Sequence, residues 1–372
     1  MGDKLRIVFT GDIAFSKHMA DAWQGDGCFS DDIRQYLQAA DFVVGNIEGP
    51  VTDAEENSGT FLHKTSGAAG KYLADQNIRI WSLANNHSMD FGEKGLADTA
   101  RHAEELSCRC VGAGKDLRDA LTPVVVGEEV KAGILSVTQP LRASMMAGPE
   151  KPGAAGWDRT DELRGKIEEL RGTVDWIVLV VHGGEEFCDL PMPYIREQYL
   201  AMLDLGADVI VAHHPHVVQP YESVDGKMIF YSLGNFVFDT EFQRSFSHTS
   251  SGVLAGLDLR KDSFAFDHLA FQIQPQSHEI AACPAPPVFR ELGANEYEQI
   301  WPFAARCFQE KLLRKKAVLG RWWTHSKVLT FFHELYSCRR PRERKVITGK
   351  WRSYFRRWNQ PEYKDLFEYM KE

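Results

Sequence analysis

Short apolar runs alternate with helix-like segments through most of this 372-residue chain, and this alternation constrains its fold most strongly. Many runs are unbroken stretches of Val, Ile and Leu, which is typical of strands buried on both faces. The runs predicted as strands are Leu5–Thr10, Phe42–Asn46, Ile78–Ala84, Pro123–Val126, Lys131–Val137, Trp176–Val181, Val209–Ala212, Met228–Ser232 and Gly252–Leu259. Helices are predicted at Asp31–Ala40, Lys94–Leu106, Asp161–Arg171, Pro193–Leu205, Asn295–Lys316 and Val328–Tyr336. The pattern predicts an α/β sheet domain.

A change of composition divides the chain near residue 280. Residues 281–289 contain three prolines and are predicted as a linker between an α/β domain at 1–280 and a basic, aromatic-rich helical extension at 281–372. Residues 301–372 carry 18 Lys and Arg against 7 Asp and Glu, or +11, whereas the whole chain carries −9. Such an extension could contact a protein or an anionic membrane surface, or fold back on its own acidic domain. We do not expect a nucleic-acid partner.

The cysteines and the amino terminus bear on the compartment. The seven cysteines form no paired framework, which favours reduced thiols. The amino terminus has no secretory pattern, and no apolar run approaches the roughly 20 residues that span a bilayer. These features predict a cytoplasmic protein.

Polar side chains follow five predicted strands, each at the carboxyl end, where open α/β sheets bind ligands. Each cluster has a structural alternative, since Asp12 could cap a turn, Asn85 and Asn86 could adopt left-handed turn conformations, and His182 could be a core histidine. Their joint occurrence at successive strand ends favours one common site. The clusters are Asp12; Asn46 with Glu48; Asn85-Asn86-His87 with Asp90; His182 with Glu185 and Glu186; and His213-His214-Pro215-His216.

The histidine cluster indicates metal chemistry, because imidazole is the commonest protein ligand of transition metals. His214 and His216 are two residues apart, so both rings can reach one centre from an extended turn. Two divalent ions about 3.5–4 Å apart need a shared carboxylate with flanking His, Asp and Asn ligands. Such ions lower the pKa of a bound water, and a nearby unligated histidine could protonate a leaving group. The sequence therefore predicts a metal-assisted hydrolase.

The ordered set of motifs resembles the CapA family of poly-γ-glutamate capsule biosynthesis proteins, which belongs to the calcineurin-like metallophosphoesterase superfamily. The resemblance covers residues 5–260 and implies a four-layer α/β/β/α sandwich, in which two packed sheets are flanked by helices. The matching segments are Gly11-Asp12, Asn46-Ile47-Glu48, Ala84-Asn85-Asn86-His87 with Asp90 and Gly92, His182 with Glu186, His213-His214-Pro215-His216-Val217 with Gln219, and Tyr231-Ser232-Leu233-Gly234-Asn235-Phe236 with Asp239.

The resemblance also implies a role for each matching residue. One divalent ion would be held by Asp12, His216 and a bridging Glu48, and a second by Asn86, His182, His214 and the same Glu48. His87 would be the general acid. The residues implied to bind substrate are Asn46, Glu186, Gln219 and Asn235. The turn from Ser232 to Asn235 could direct backbone N–H groups at an anionic substrate, or serve only as a tight turn.

The chain departs from the superfamily pattern at three places. Ala14 stands where a histidine normally follows the first aspartate, and Asn46 with Glu48 stands where an aspartate is usual. The expected cofactor is accordingly one or two divalent ions, with Mn, Zn, Fe and Mg not distinguished. Gly183 stands where the family commonly has Trp, which predicts a wider pocket.

Two functions follow from the resemblance. The first is a protein of poly-γ-glutamate or capsule synthesis whose metal-dependent site hydrolyses a phosphoester or a γ-glutamyl amide, in a small molecule or a polyanionic polymer. The alternative is a non-catalytic accessory protein for polymer synthesis or export, which uses the site for binding.

Overall fold

The computed structural model describes residues 4–54, 62–302 and 304. Its strands are β1 (Leu5–Ile13), β2 (Phe42–Ile47), β3 (Ile78–Ser82), β4 (Arg109–Val111), β5 (Ala113–Gly114), β6 (Val124–Val126), β7 (Ala132–Thr138), β8 (Gly153–Ala154), β9 (Trp176–His182), β10 (Val209–His213), β11 (Tyr221–Val224), β12 (Lys227–Phe230), β13 (Asn235–Val237), β14 (Ser251–Leu259), β15 (Phe264–Ile273) and β16 (Ile280–Ala282). Its helices are α1 (Asp31–Gln38), α2 (Gly67–Asp75), α3 (Gly92–Glu105), α4 (Leu117–Ala120), α5 (Thr160–Arg171), α6 (Pro193–Asp204) and α7 (Glu241–Arg244). Residues 294–302 and 304 are also helical.

The strands form two large mixed sheets. The first has the order β16-β15-β14-β1-β2-β3-β4, with β13 also paired to β1, and the second has the order β11-β12-β10-β9-β7-β6. Strands β1 to β4 run parallel, as do β7, β9, β10 and β12. Antiparallel pairing to a neighbour is seen for β6, β11, β14, β15 and β16. The parallel centres of both sheets therefore present several carboxyl ends on one edge.

Three hydrophobic cores separate four layers. The central core joins inward-facing residues of both sheets, such as Ile7 of β1 and Val178 of β9. A second core packs the outer face of the first sheet against α1, α2 and α3, and a third packs the second sheet against α5 and α6. Because alternate side chains of a strand point to opposite faces, each central strand contributes to two cores, which explains the unbroken apolar runs. The predicted four-layer α/β/β/α sandwich is confirmed.

The predicted strands are all present, with ends shifted by one to three residues, and so are four of the predicted helices. Of the helix predicted at Asn295–Lys316, only the first turns lie in the described part, while Val328–Tyr336 and most of the basic extension lie outside it. The segment predicted as a linker is not free of the domain, because Val288 and Phe289 are buried in the central core. The extension at 281–372 as a separate unit stays a prediction. Among the helices of the described part, none combines the length and the apolar composition that a membrane span requires.

Candidate metal centre

The two sheets bring their polar strand ends together at one edge of the central core. The first sheet contributes Asp12, Glu48 and Asn86, which lie in or just after β1, β2 and β3. The second contributes His182 at the end of β9 and the histidines that follow β10. Asn86 is partly buried, and the other ligand candidates of both sheets are buried, so the site is formed where the two sheets meet.

A β-bulge brings Asp12 into line with the other groups. The register pairs Phe9 with Val44 and Asp12 with Asn46, so β1 has one residue more than β2 in this interval. A bulge of this kind bends the strand and redirects a side chain. At Gly11 a Cβ atom would lie 2.2 Å from the carbonyl oxygen of Gly234, so only glycine allows this close approach.

Two groups of potential metal ligands share one carboxylate. Asp12, Glu48 and His216 form one group, and Glu48, His182 and His214 form the other, with ligand atoms within 4.8 Å of one another in each. Glu48 Oε1 lies 3.8 Å from His182 Nε2 and 3.7 Å from His216 Nε2. The structure thus brings together the predicted ligands, and Glu48 lies where a bridging ligand is required. Their role as metal ligands stays a prediction.

Asn86 joins the second group through its side-chain amide. Its Oδ1 atom lies 2.7 Å from His182 Nε2. Burial, with a smaller effect of neighbouring histidines, lowers the pKa of His182 well below its usual range. His182 is therefore neutral at physiological pH, and neutral imidazole is the form that binds metal ions.

The backbone at the histidine turn adopts left-handed conformations that side chains rarely take. His214 has φ of 99° and His216 has φ of 57°, on either side of Pro215. Such residues cost on the order of 1–3 kcal/mol each and cluster at functional sites. Here they give a compact turn in which the rings of His214 and His216 lie 5.9 Å apart.

Glu48 provides the test of whether these residues fit a cation. The side chain is fully buried, and neither carboxylate oxygen accepts a hydrogen bond from any residue that the structure describes. Burial raises the pKa of Glu48 well above its usual range, and the charges of Asp12 and Glu186 add to this against the opposing effect of His216. A buried carboxylate without donors is expensive unless it is paired or bound to a metal. The donor set therefore fits divalent cations.

Two asparagines predicted to bind substrate form hydrogen bonds with candidate metal ligands. Asn46 Nδ2 donates to Asp12 Oδ1 at 2.7 Å and lies 3.3 Å from His182 Nδ1. Asn235 Nδ2 donates to the carbonyl oxygen of Thr249 at 2.8 Å, so Asn235 Oδ1 faces His216 Nδ1, 2.9 Å away. The Nδ1 atom of His216 must then carry a proton, so Nε2 is the atom that would bind a metal ion.

The substrate role predicted for four residues stays a prediction. Asn46, Asn235 and Gln219 are all buried, and Gln219 Nε2 donates to the carbonyl oxygen of Cys188. Glu186 lies close enough to the centre for its charge to affect Glu48 and His216. Of the four, Glu186 is therefore the residue whose charge acts on the pKa values of the proposed ligands.

His87 has the geometry expected of a proton donor. Its Nδ1 atom donates to Asp90 Oδ2 at 2.7 Å, which fixes the ring and leaves Nε2 for proton exchange. That Nε2 atom lies 3.8 Å from Glu48 Oε1, and the side chain is 16% exposed. His87 thus faces the carboxylate common to both ligand groups while remaining accessible to solvent.

His63 is a residue near the site that sequence reasoning missed. Its ring lies 4.5 Å from that of His87, its Nδ1 atom lies 2.9 Å from Ser16 Oγ, and its backbone N–H donates to Asp90 Oδ2 at 2.8 Å. Asp90 therefore connects His63 to His87. No strand ends at His63, so its position along the chain gave no signal of this proximity.

The wider pocket at Gly183 stays a prediction. The ring of Trp157 takes up the space next to this glycine, and a Cβ atom at 183 would lie 2.4 Å from it. Trp157 comes from the segment before α5, far away in sequence. The missing side chain therefore makes room for an indole.

The four-layer fold is metallophosphoesterase-like, and the arrangement of Asp, Glu, Asn and His around a shared carboxylate is the one that the sequence resemblance implies. Residues 6–240 match the family model described as bacterial capsule synthesis protein PGA_cap. The chain belongs to this family.

Similar proteins include two from bacilli. The chain is 34% identical to the PGA biosynthesis protein CapA of Bacillus subtilis over 294 residues, which cover 76% of this chain and 74% of that protein. It is 32% identical to the capsule biosynthesis protein CapA of Bacillus anthracis over 288 residues, covering 74% and 69%. A "Probable polyglutamine synthesis accessory protein" of Mycobacterium tuberculosis is 30% identical over 175 residues, covering 44% and 46%.

Solved structures give weaker similarities. A hypothetical protein from Thermus thermophilus has a TM-score of 0.45 at 14% identity and covers 72% of this chain and 99% of that one. The NAD nucleotidase of Haemophilus influenzae has a TM-score of 0.40 at 12% identity and covers 76% and 60%. Scores at this level carry no argument about function.

Proposed function

We propose that this protein is a metal-dependent hydrolase of capsule or polyglutamate synthesis, which cleaves a phosphoester or a γ-glutamyl amide. The observation that carries the proposal is Glu48, a fully buried carboxylate that accepts no hydrogen bond from the described residues and lies between two ligand groups. A protein that used this edge only for packing would gain nothing from burying such a group. A binuclear centre needs it as a bridge.

The charges of the site favour an anionic substrate. Asp12 and Glu48 together contribute −2, so two divalent ions would leave +2 on the ligand set, and one ion would leave it neutral. Bound cations are often the largest local charges in a site. Phosphoesters and the free carboxylates of γ-glutamyl chains are both anionic, which matches this excess.

Each group has a distinct role in this proposal. Divalent ions held by the two ligand groups around Glu48 would supply an activated water and polarise a substrate oxygen. His87 donates a proton to the leaving group from Nε2, while Asp90 holds Nδ1 and orients the ring. Asn46 and Asn235 keep Asp12 and His216 in place for the reaction.

The test compares metal content and hydrolysis in the wild type, Asp12→Asn and His214→Ala. Protein loaded with Mn²⁺ is assayed against p-nitrophenyl phosphate and γ-glutamyl peptides, with His87→Ala as the blank. We expect the wild type to bind metal and hydrolyse one substrate class, and both ligand variants to bind metal more weakly and to lose activity. A wild type that binds no metal, or ligand variants as active as the wild type, would refute the proposal.

A second candidate is a non-catalytic accessory role, favoured by the name of the mycobacterial relative. The site would then bind an anionic polymer without cleaving it. In that case the metal-loaded wild type would bind poly-γ-glutamate without shortening it, and His87→Ala would bind equally well. Pull-downs with the full chain and with a chain that ends at residue 304, which keeps the core residues of this segment, would further show whether the basic extension recruits a partner. Identical partner sets would exclude that.

A further inference from the structure

We propose that His213 is a positioning residue for the metal centre, which donates a hydrogen bond across the two sheets to the bulge that presents Asp12. The inference rests on the proposed function, because it assumes that Asp12 binds a metal ion. It concerns the one histidine of the His213-His214-Pro215-His216 cluster that belongs to neither ligand group among the described residues.

The bulge in β1 leaves one carbonyl group in need of a partner. Thr10 and Gly11 have no register partner in β2, and the pairing with β14 ends at Phe9. Backbone polar groups that are buried must be hydrogen-bonded, or they cost stability. The Thr10 carbonyl therefore needs a donor from outside its own sheet.

His213 is that donor. It is the last residue of β10 in the second sheet, its side chain is buried, and its Nε2 atom lies 2.8 Å from the carbonyl oxygen of Thr10. A carbonyl oxygen only accepts, so the ring carries its proton on Nε2. The contact links β1 to β10 next to the metal centre.

The bulge is thus fixed from two directions. The His213 ring holds Thr10 from the second sheet, and the N–H of Asp12 donates to the carbonyl oxygen of Gly234 at 3.0 Å. Asp12 lies two residues after Thr10, and His214 and His216 lie one and three residues after His213. The hydrogen bond from His213 to Thr10 therefore helps to set the distance between Asp12 on one sheet and His214 and His216 on the other. Metal affinity depends on how such supporting contacts position the ligands.

The experiment measures Mn²⁺ affinity of the full chain by isothermal titration calorimetry. His213→Phe keeps a ring but removes the donor, whereas His213→Gln places an amide N–H near the position of Nε2. Both changes are made in the wild type and in Asp12→Asn. We expect His213→Phe to weaken binding 10–100-fold in the wild type, as for other residues that support ligands. His213→Gln should stay within about twofold, and His213→Phe should add less than about twofold to Asp12→Asn.

Three outcomes would overturn the inference alone: wild-type affinity in His213→Phe, equal losses in His213→Phe and His213→Gln, or the same loss in both backgrounds. A wild type that binds no Mn²⁺ would overturn the proposed function as well. Circular dichroism checks folding, and His213→Leu replaces a His213→Phe variant that does not fold. If neither folds, His213 is required for the fold itself and the positioning role is wrong.

Discussion

Replacing Glu48 with glutamine tests whether the carboxylate of Glu48 binds a metal ion. In the metal-free protein both oxygens of Glu48 are buried and accept no hydrogen bond from the described residues. An unsatisfied buried group costs about 1–3 kcal/mol, and more when it is charged. Glu48→Gln removes the ionisable group at nearly constant volume. In EDTA we therefore expect its free energy of unfolding to equal or exceed that of the wild type.

With metal the order should reverse. Mn²⁺ at one hundred times its Kd should stabilise the wild type by about 2.7 kcal/mol, because it binds the folded state alone. Glu48→Gln loses the ligand common to both groups, so its gain should be close to zero. Urea unfolding followed by tryptophan fluorescence, with EDTA and with Mn²⁺, measures both quantities.

Glu222 provides the matched control. It is also buried, but its carboxylate accepts hydrogen bonds from Arg196 at 2.6 and 2.9 Å and from the hydroxyl of Tyr231 at 2.7 Å. Glu222→Gln should cost about 2–3 kcal/mol, below the usual loss for a broken buried ion pair because Arg196 is partly exposed. The cost should be the same with and without Mn²⁺. The reasoning fails if Glu48→Gln behaves like Glu222→Gln in EDTA, or gains as much from Mn²⁺ as the wild type.

Three further substitutions test separate parts of the site. His87→Ala should lower kcat about 10²–10⁴-fold in a steady-state assay while Mn²⁺ affinity stays constant, and a parallel loss of affinity would contradict its role as proton donor. Asn235→Ala removes the acceptor of His216 Nδ1 and should weaken Mn²⁺ binding about 10–100-fold by calorimetry, so unchanged affinity would count against this support. Gly183→Ala places a Cβ atom 2.4 Å from Trp157 and should cost about 1–3 kcal/mol in urea unfolding, whereas unchanged stability would mean that the indole moves away freely.

The central strands could be predicted from the sequence because both of their faces are buried. The predicted strand Val209–Ala212 is observed as Val209–His213. A short, unbroken run of β-branched apolar residues is typical of a buried strand and too short for a helix. The helix Gly67–Asp75 was missed, because its small residues and two glycines give little helical signal. Strand Phe264–Ile273 was missed as well, since it is largely exposed on one side and carries polar residues within the run.

The ligand candidates could be predicted for a different reason. Asp12, Glu48 and His182 follow parallel strands, and the carboxyl ends of such strands meet at one edge, so position along the chain indicates position in space. His63 and Trp157 are brought to the site by loops and by packing between distant segments. Their proximity depends on distances between elements, which no local pattern contains.

The residue Ala14, where the superfamily pattern has a histidine, would make the two halves of the proposed centre unequal. The half built on Asp12 has three candidate ligands, whereas the half built on His182 has a fourth in the Asn86 oxygen. A site with fewer ligands binds a metal ion more weakly. Ligand side chains that are already held in place offset this loss, because they lose less conformational freedom when the ion binds. The half built on Asp12 has such support. Asn46 donates a hydrogen bond to Asp12, Asn235 accepts one from His216, and His213 donates one to Thr10 in the bulge next to Asp12. These hydrogen bonds could therefore allow the chain to bind a second ion without the histidine that the superfamily pattern has at position 14.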